Sequence, residues 1–88
     1  MLAQSLAVEW APQGVRVNAI APGYMLSEMT RQFTDANPDL KEQWIGAIPL
    51  GRMGVPHDLD GLVGFLASDA SSYLTAQTIV IDGGYTAI

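Results

Sequence analysis

Apolar positions recur along the chain with two different periods, and the changes of period mark out its elements. Leu2, Leu6 and Trp10 fall four apart, with Ala3, Ala7 and Ala11 beside them, which predicts a helix over residues 2–11. Pro12 and Gly14 end it. Val15, Val17 and Ala19 then alternate with Arg16, Asn18 and Ile20, the pattern of a strand over Val15–Ile20 that stops at the breaker Ala21-Pro22-Gly23. A short helix is expected from about Ser27 to Phe33. A second has Asn37 as N-cap, Pro38 at its first position and Leu40, Trp44 and Ala47 along its apolar stripe. The clearest helix spans 56–68: Pro56 opens it, and Leu59, Leu62, Val63 and Leu66 hold helical spacing. Thr78–Ile81 is a continuous apolar run closed by Asp82-Gly83-Gly84, as expected for a strand buried on both faces.

The order is helix, strand, helical excursion, helix, strand. Two strands separated by helices predict an α/β arrangement with a parallel pair and a right-handed crossover. No internal repeat, linker or low-complexity stretch divides the 88 residues, which have room for one domain and no second. A chain this short buries only about 60–65% of the surface its unfolded form exposes, so its core must be modest.

Composition narrows the function classes. With 4 Lys+Arg against 9 Asp+Glu the net charge is −5, which argues against a nucleic-acid or anionic-membrane surface. The absence of cysteine removes disulfides, thiolate metal sites and cysteine nucleophiles; it fits a reducing compartment, and a cytoplasmic location is expected. Hydrophobic residues make up 49% and charged residues 15%, too apolar for disorder and unusually apolar for a free-standing domain. No apolar run reaches the roughly 18 residues of a membrane helix. Met1-Leu2-Ala3-Gln4 has neither the basic start nor the apolar stretch of a signal peptide.

In an open parallel sheet, ligands bind beyond the carboxyl ends of the strands. Those ends are Ala21–Ser27 and Asp82–Tyr85. The first is the better candidate: Pro22 fixes its φ, Gly23 permits close backbone approach, and free amides together with the Ser27 hydroxyl suit an amide or phosphate. A simple turn followed by a helix cap at Ser27 explains the same residues. The single imidazole, His57, has no serine or carboxylate arranged to use it as a base, so an exposed surface histidine is expected. Tyr24, Tyr73 and Tyr85 lack a lysine four residues on to lower a phenol pKa and are read as packing or pocket wall. Glu28, Glu42 and the aspartates form no metal-ligand pattern. Asn18 is expected to satisfy neighbouring backbone groups, and Asp82-Gly83-Gly84 to be a strand-ending turn. The residues therefore give half of an α/β ligand-binding domain, with no catalytic constellation and no metal site.

Four motifs, taken together, carry a resemblance. Gly14-Val15-Arg16-Val17-Asn18-Ala19-Ile20-Ala21-Pro22-Gly23, then Pro49-Leu50-Gly51-Arg52, then Phe65-Leu66-Ala67-Ser68-Asp69, then Asp82-Gly83-Gly84 resemble the carboxyl-terminal third of the short-chain dehydrogenase/reductase family. The match in order and spacing runs from Leu2 to Tyr85.

The resemblance implies a Rossmann-like doubly wound parallel sheet in a full chain about three times this length, of which residues 1–88 are one partial domain. Residues 2–11 would end the helix that carries the catalytic Tyr-x-x-x-Lys. Val15–Ile20 and Thr78–Ile81 would be the sixth and seventh strands, and 27–50 the mobile substrate-binding loop, with Tyr24, Glu28, Met29 and Trp44 facing substrate. Pro22, Gly23, Met25 and Ser27 would line the nicotinamide of NAD or NADP; Met25 stands where Ile or Val is usual, and Ser27 where Thr is usual.

Departures from the family pattern are as informative. The glycine-rich phosphate loop and the catalytic Asn, Ser, Tyr and Lys do not occur in these residues, as if the chain began at an internal Met. Ala76 stands where Gly is common, and His57 where an acidic residue or Gln is common. Two readings follow: part of an NAD(P)-dependent oxidoreductase acting on an alcohol or carbonyl, or an inactive fragment serving as a structural or oligomerisation module. A homo-oligomer through 56–68 and 78–85 is expected, because Thr78–Ile81 would leave an apolar sheet edge open and the family pairs through those elements.

Overall fold

A computed structural model describes residues 2–87. The chain forms two compact units: one from residues up to Ala21 together with Asp60–Val80, the other from Pro22–Leu59 together with the residues from Ile81 on. Two strands, β1 (Ala19–Pro22) and β2 (Thr78–Ile81), pair in a single two-stranded sheet. They run parallel, because the partners rise together along both strands: Ala76 N–H to Val17 O, Ala19 N–H to Gln77 O and Gly23 N–H to Ile81 O, at 2.8, 2.9 and 3.1 Å.

The first unit opens with α1 (Leu2–Trp10), close to the helix expected over 2–11. A 3-10 turn, Ala11–Gln13, continues it, and Gly14 ends it at φ +79°, a left-handed cap whose N–H bonds Ala11 O. Only Ala7 of α1 is buried; Leu2 and Val8 are largely exposed.

The strand expected at Val15–Ile20 lies instead at Ala19–Pro22. Residues 16–18 are held by side-chain bonds in place of a regular ladder. Val17 N–H donates to Thr75 Oγ1. Asn18 braces both ends of a turn, its Nδ2 donating to Leu74 O and its Oδ1 accepting from Gln77 N–H, the backbone role expected of it. Pro22 belongs to the strand, not to a breaker. Odd-numbered residues 19 and 23 donate to β2, so the missing N–H of Pro22 falls on the side that needs no donor.

Arg16 organises the rest of this unit. Its guanidinium donates to the carbonyls of Leu66, Ser68, Ser71 and Leu74 and to the Ser71 hydroxyl, at 2.8–3.2 Å. Those carbonyls lie at and beyond the end of α4 (Asp60–Leu66), where a helix leaves acceptors without partners and where its dipole favours a cation. Ser71, only 3% exposed, also donates to Phe65 O.

The helix expected over 56–68 divides: Pro56–Leu59 form a 3-10 turn and only Asp60–Leu66 are α-helical. The reason is a local cap. Asp58 Oδ2 accepts from Val55 N–H while Asp58 N–H donates to Val55 O, so the first turn closes on itself before α4 begins. β2 has the residues expected, yet it is not buried on both faces: its positions alternate, and Val80 is 51% exposed.

Ala76 adopts φ +63°, the left-handed region that disfavours any side chain. Its N–H bond to Val17 O holds it there. Ala76→Gly is expected to stabilise the protein by about 0.5 kcal/mol, the relief of the Cβ clash less the added freedom of the unfolded chain. A thermal midpoint that falls in this variant would refute the account.

In the second unit, α2 (Glu28–Ala36) packs on α3 (Pro38–Gly46). Ser27 is the N-cap of α2, its Oγ accepting from Thr30 N–H at 3.2 Å, and the helix extends past Phe33. Asn37 makes no side-chain cap for α3. Its Nδ2 donates backwards to Phe33 O at 2.8 Å, so it closes α2 in place of opening α3. The small core of this unit includes Ile48 and Met53.

Candidate functional site

The stretch leaving β1 is fixed by backbone bonds to Gly54. Gly54 N–H donates to Tyr24 O and Leu26 N–H to Gly54 O, a parallel bridge centred on Met25. In such a bridge the central residue's own N–H and C=O point to the other side. Among the described residues, neither of those two groups of Met25 is bonded within the bridge. A donor and an acceptor side by side fit a primary amide.

Gly23 precedes this bridge. A Cβ built on it would lie 2.6 Å from Asp82 Cβ and 3.0 Å from Asp82 Cα. Glycine is therefore required here by the close passage of Asp82, a reason independent of any ligand. At Gly54 an added Cβ would meet the Met25 sulfur at 2.6 Å, the tip of a flexible side chain that can move aside.

Asp82 turns the chain after β2. Its Oδ1 accepts from Gly84 N–H and its Oδ2 from Thr86 N–H, both at 2.9 Å, with Gly83 and Gly84 at positive φ. Asp82-Gly83-Gly84 is thus the expected strand-ending turn. Leu50 N–H donates to Gly83 O, which ties the segment after α3 to the same turn.

Tyr24, Met25, Leu50, Arg52, Gly54, Asp58, Leu59, Ile81, Asp82 and Gly83 enclose a cavity of about 210 Å³. On its wall Arg52 and Asp58 form a bidentate pair at 2.8 and 2.9 Å. The Arg52 guanidinium, then the Val55 amide, hold the Asp58 carboxyl well below its ordinary 3.8. The Thr86 hydroxyl and amide lower Asp82 in the same direction. Carboxyls depressed in the fold stabilise it above their ordinary value and lose that contribution as pH falls toward the lowered one. Unfolding midpoints measured between about pH 6 and pH 2 should therefore drop below about pH 4. Asp58→Asn should flatten the drop; an unchanged profile would contradict this assignment.

The residues expected around the site separate into groups. Tyr24 and Met25 line the cavity. Pro22 and Gly23 lead into it from β1. The Ser27 hydroxyl is engaged with Thr30, accepting from its amide and pairing with its hydroxyl at 2.9 Å, the cap expected as the simpler explanation. Glu28 stands in the first turn of α2, suited to the helix dipole, and Met29 is 80% exposed. Trp44 joins an aromatic stack: its ring lies 5.1 Å from Tyr24 at 12° and 5.8 Å from Phe33 at 19°, while Tyr85 meets Tyr24 edge-on at 5.2 Å. The Tyr85 hydrogen bond, and its proximity, raise the Tyr24 phenol above 10.0. Arg52, Gly54 and Asp58 were not singled out by spacing. Arg52 falls inside the quoted Pro49–Arg52 motif, and Asp58 reads equally well as a dipole partner.

A parallel strand pair joined through helices, with a cavity of about 210 Å³ beyond the end of β1, is an α/β arrangement. The family model described as Enoyl-(Acyl carrier protein) reductase matches residues 1–86. Among curated relatives, galactitol 2-dehydrogenase (L-tagatose-forming) of Cereibacter sphaeroides is 48% identical over 97% of this chain and 33% of its own length. Sorbose reductase SOU1 of Candida albicans is 51% identical over 97% of this chain and 29% of its own. A solved short-chain type dehydrogenase/reductase from Mycobacterium marinum superposes with a TM-score of 0.84 at 47% identity, over 99% of this chain and 33% of that one. An Agrobacterium tumefaciens structure with bound NADP gives 0.91 at 38% identity, over 99% and 35%. The chain belongs to the short-chain dehydrogenase/reductase family. It spans about a third of the length of the curated relatives it matches.

Proposed function

We propose that this chain is the carboxyl-terminal third of an NAD(P)-dependent oxidoreductase that acts on the alcohol or carbonyl of a small polyol, sugar or sugar acid. The observation that supports this most directly is the pair of backbone groups on Met25. The fold holds them side by side with no partner among the described residues, and together they suit the carboxamide of a nicotinamide ring. When bound, that ring would accept hydride from an alcohol or supply it to a carbonyl. The part of this chain is to hold and orient: Pro22 and Gly23 bring the backbone out of β1, and the Gly54 bridge fixes the Met25 amide. Ser27 starts α2, which opens the segment 27–50 that faces substrate. The substrate class rests on the activities named for the relatives, galactitol and sorbose among them.

Within this reading the 88 residues alone are inactive, because no acid–base group among the described residues is arranged for proton transfer. Exposed Val63, Phe65 and Val80 support pairing of copies through 56–68 and 78–85, and sedimentation velocity is the measurement for it. A cytoplasmic location belongs to the same proposal; no helix among the described residues is long and apolar enough to cross a membrane.

The test is made on the natural gene product after its intact mass is known. Met25→Pro deletes the amide donor and should weaken NAD(P) binding roughly tenfold, the effect of one hydrogen bond of about 1–1.5 kcal/mol. Met25→Ile should leave it unchanged. Equal affinity in both variants, or no turnover of NAD(P)+ with polyols and sugar acids and of NAD(P)H with the matching keto compounds, would reject the proposal.

A further inference from the structure

Gly54 stands between two peptide groups, and each of them is bonded at both ends. The first joins Met53 C=O to Gly54 N–H. Its N–H donates to Tyr24 O at 2.9 Å, and its carbonyl accepts from Arg52 Nη1 at 3.2 Å. The second joins Gly54 C=O to Val55 N–H. Its carbonyl accepts from Leu26 N–H at 2.6 Å, and its N–H donates to Asp58 Oδ2 at 2.8 Å. A trans peptide group is planar, with N–H and C=O pointing opposite ways, so a bond at one end fixes the direction of the other. At their near ends the two groups make the bridge to either side of Met25; at their far ends they meet the Arg52–Asp58 pair. Two atoms close the circuit. Arg52 Nη1, which holds Met53 O, also donates at 2.8 Å to Asp58 Oδ2, which holds Val55 N–H. Arg52 Nη2 on Asp58 Oδ1 at 2.9 Å makes the pair bidentate and so fixes its geometry. Glycine has the least restricted φ and ψ, so nothing local keeps the angle between the two groups that Gly54 joins. Met53 is 5% exposed, which anchors its side chain; the tilt of the peptide group after it is left to these bonds.

We propose that Arg52 and Asp58 are positioning residues: their pair clamps the two peptide groups of Gly54 and through them aims the N–H and C=O of Met25 at the carboxamide of a nicotinamide. The identity of that ligand rests on the oxidoreductase reading; the clamp rests on the bonds alone. Hydrogen bonds weaken steeply with misalignment, so a tilt at Gly54 costs affinity although Met25 keeps both of its bonding groups. Arg52 and Asp58 also line the 210 Å³ cavity, and direct contact with the ligand is the rival that the experiment separates.

The experiment has two arms, both on the natural gene product with Asp58→Ala. Amide hydrogen exchange without cofactor reads the clamp. Gly54 and Leu26 amides should exchange at least about threefold faster, while Ala19 and Gly23 amides, bonded to β2, stay within about twofold of the parent. Calorimetric binding reads the aim. NAD(P) should bind roughly three- to tenfold more weakly, while the matching ADP-ribose, which has no nicotinamide, stays within about twofold. Unchanged exchange at Gly54 and Leu26 overturns the clamp, and so does equal acceleration at all four amides, which means general loosening. Weaker NAD(P) binding without faster exchange means direct contact and also overturns it, as does an equal loss for NAD(P) and ADP-ribose. A parent that binds no NAD(P) sinks the oxidoreductase reading instead, and the exchange arm still judges the clamp. If Asp58→Ala loses its far-UV circular dichroism, Arg52→Gln ends the bidentate pair from the other side and is judged by the same pattern.

Discussion

Arg16→Ala is expected to lose about 3–5 kcal/mol of unfolding free energy, a large share of what a domain of this size has. The guanidinium is the shared donor for the carbonyls of Leu66, Ser68, Ser71 and Leu74. Without it, each of these carbonyls loses a charge-assisted bond and keeps only a neutral donor: Ser71 Oγ on Leu66 O, Ser71 N–H on Ser68 O, Leu74 N–H on Ser71 O and Asn18 Nδ2 on Leu74 O. A bond to a charged group contributes about 1.5–3 kcal/mol. Ser71, at 3% exposure, has no access to water as a replacement. Arg16→Lys should fall between parent and alanine, because one ammonium cannot span acceptors that a planar fork reaches at once. Urea unfolding followed by circular dichroism measures both. An alanine variant within about 1 kcal/mol of the parent would show that the brace is replaceable.

Gly23→Ala is expected to destabilise by about 2 kcal/mol or more, and Gly23→Val by more again. The added Cβ would stand 2.6 Å from Asp82 Cβ, and neither side can give way easily. Gly23 N–H is bonded to Ile81 O, and the Asp82 carboxylate is fixed on Gly84 and Thr86. A double-mutant cycle separates this cause from ligand approach. In an Asp82→Gly background the nearer atom, Asp82 Cβ, is gone and only Cα at 3.0 Å remains close, so Gly23→Ala should cost less there. The same cost in both backgrounds would mean that Asp82 is not what excludes a side chain at position 23.

Much of the fold was legible in the sequence, and the reason is local. Hydrophobic period, proline and glycine act within a few residues, so α1, the Ser27 cap, the Thr78–Ile81 strand and the Asp82 turn stand where their residues place them. The four motifs likewise point to the short-chain dehydrogenase/reductase family because they lie in order along the chain. Where alternation met a competing bond from far away, the local signal failed. Residues 15–18 alternate as a strand should, yet Thr75, Leu74, Ser71 and Gln77, more than fifty residues on, take their polar groups, and the ladder begins only at Ala19. Asn37 has the spacing of an N-cap, yet the carbonyl of Phe33 was the nearer unfilled partner.

At the candidate site the division is sharper. Glycine at position 23 is visible in the sequence, but its reason, a strand neighbour at position 82, is set only by the parallel pairing of β1 with β2. Arg52 and Asp58 read as an ordinary loop cation and a first-turn acid until the chain folds them into one bidentate pair beside the cavity. Trp44, Tyr24 and Tyr85 are separate aromatics, twenty and forty-one residues apart in sequence, that only the return of the chain through Ile48 and Gly83 makes into one stack. Sequence determines which groups a segment offers; tertiary structure decides which of them meet, because hydrogen bonds and ring contacts act over a few ångströms in space, however far apart their residues lie along the chain.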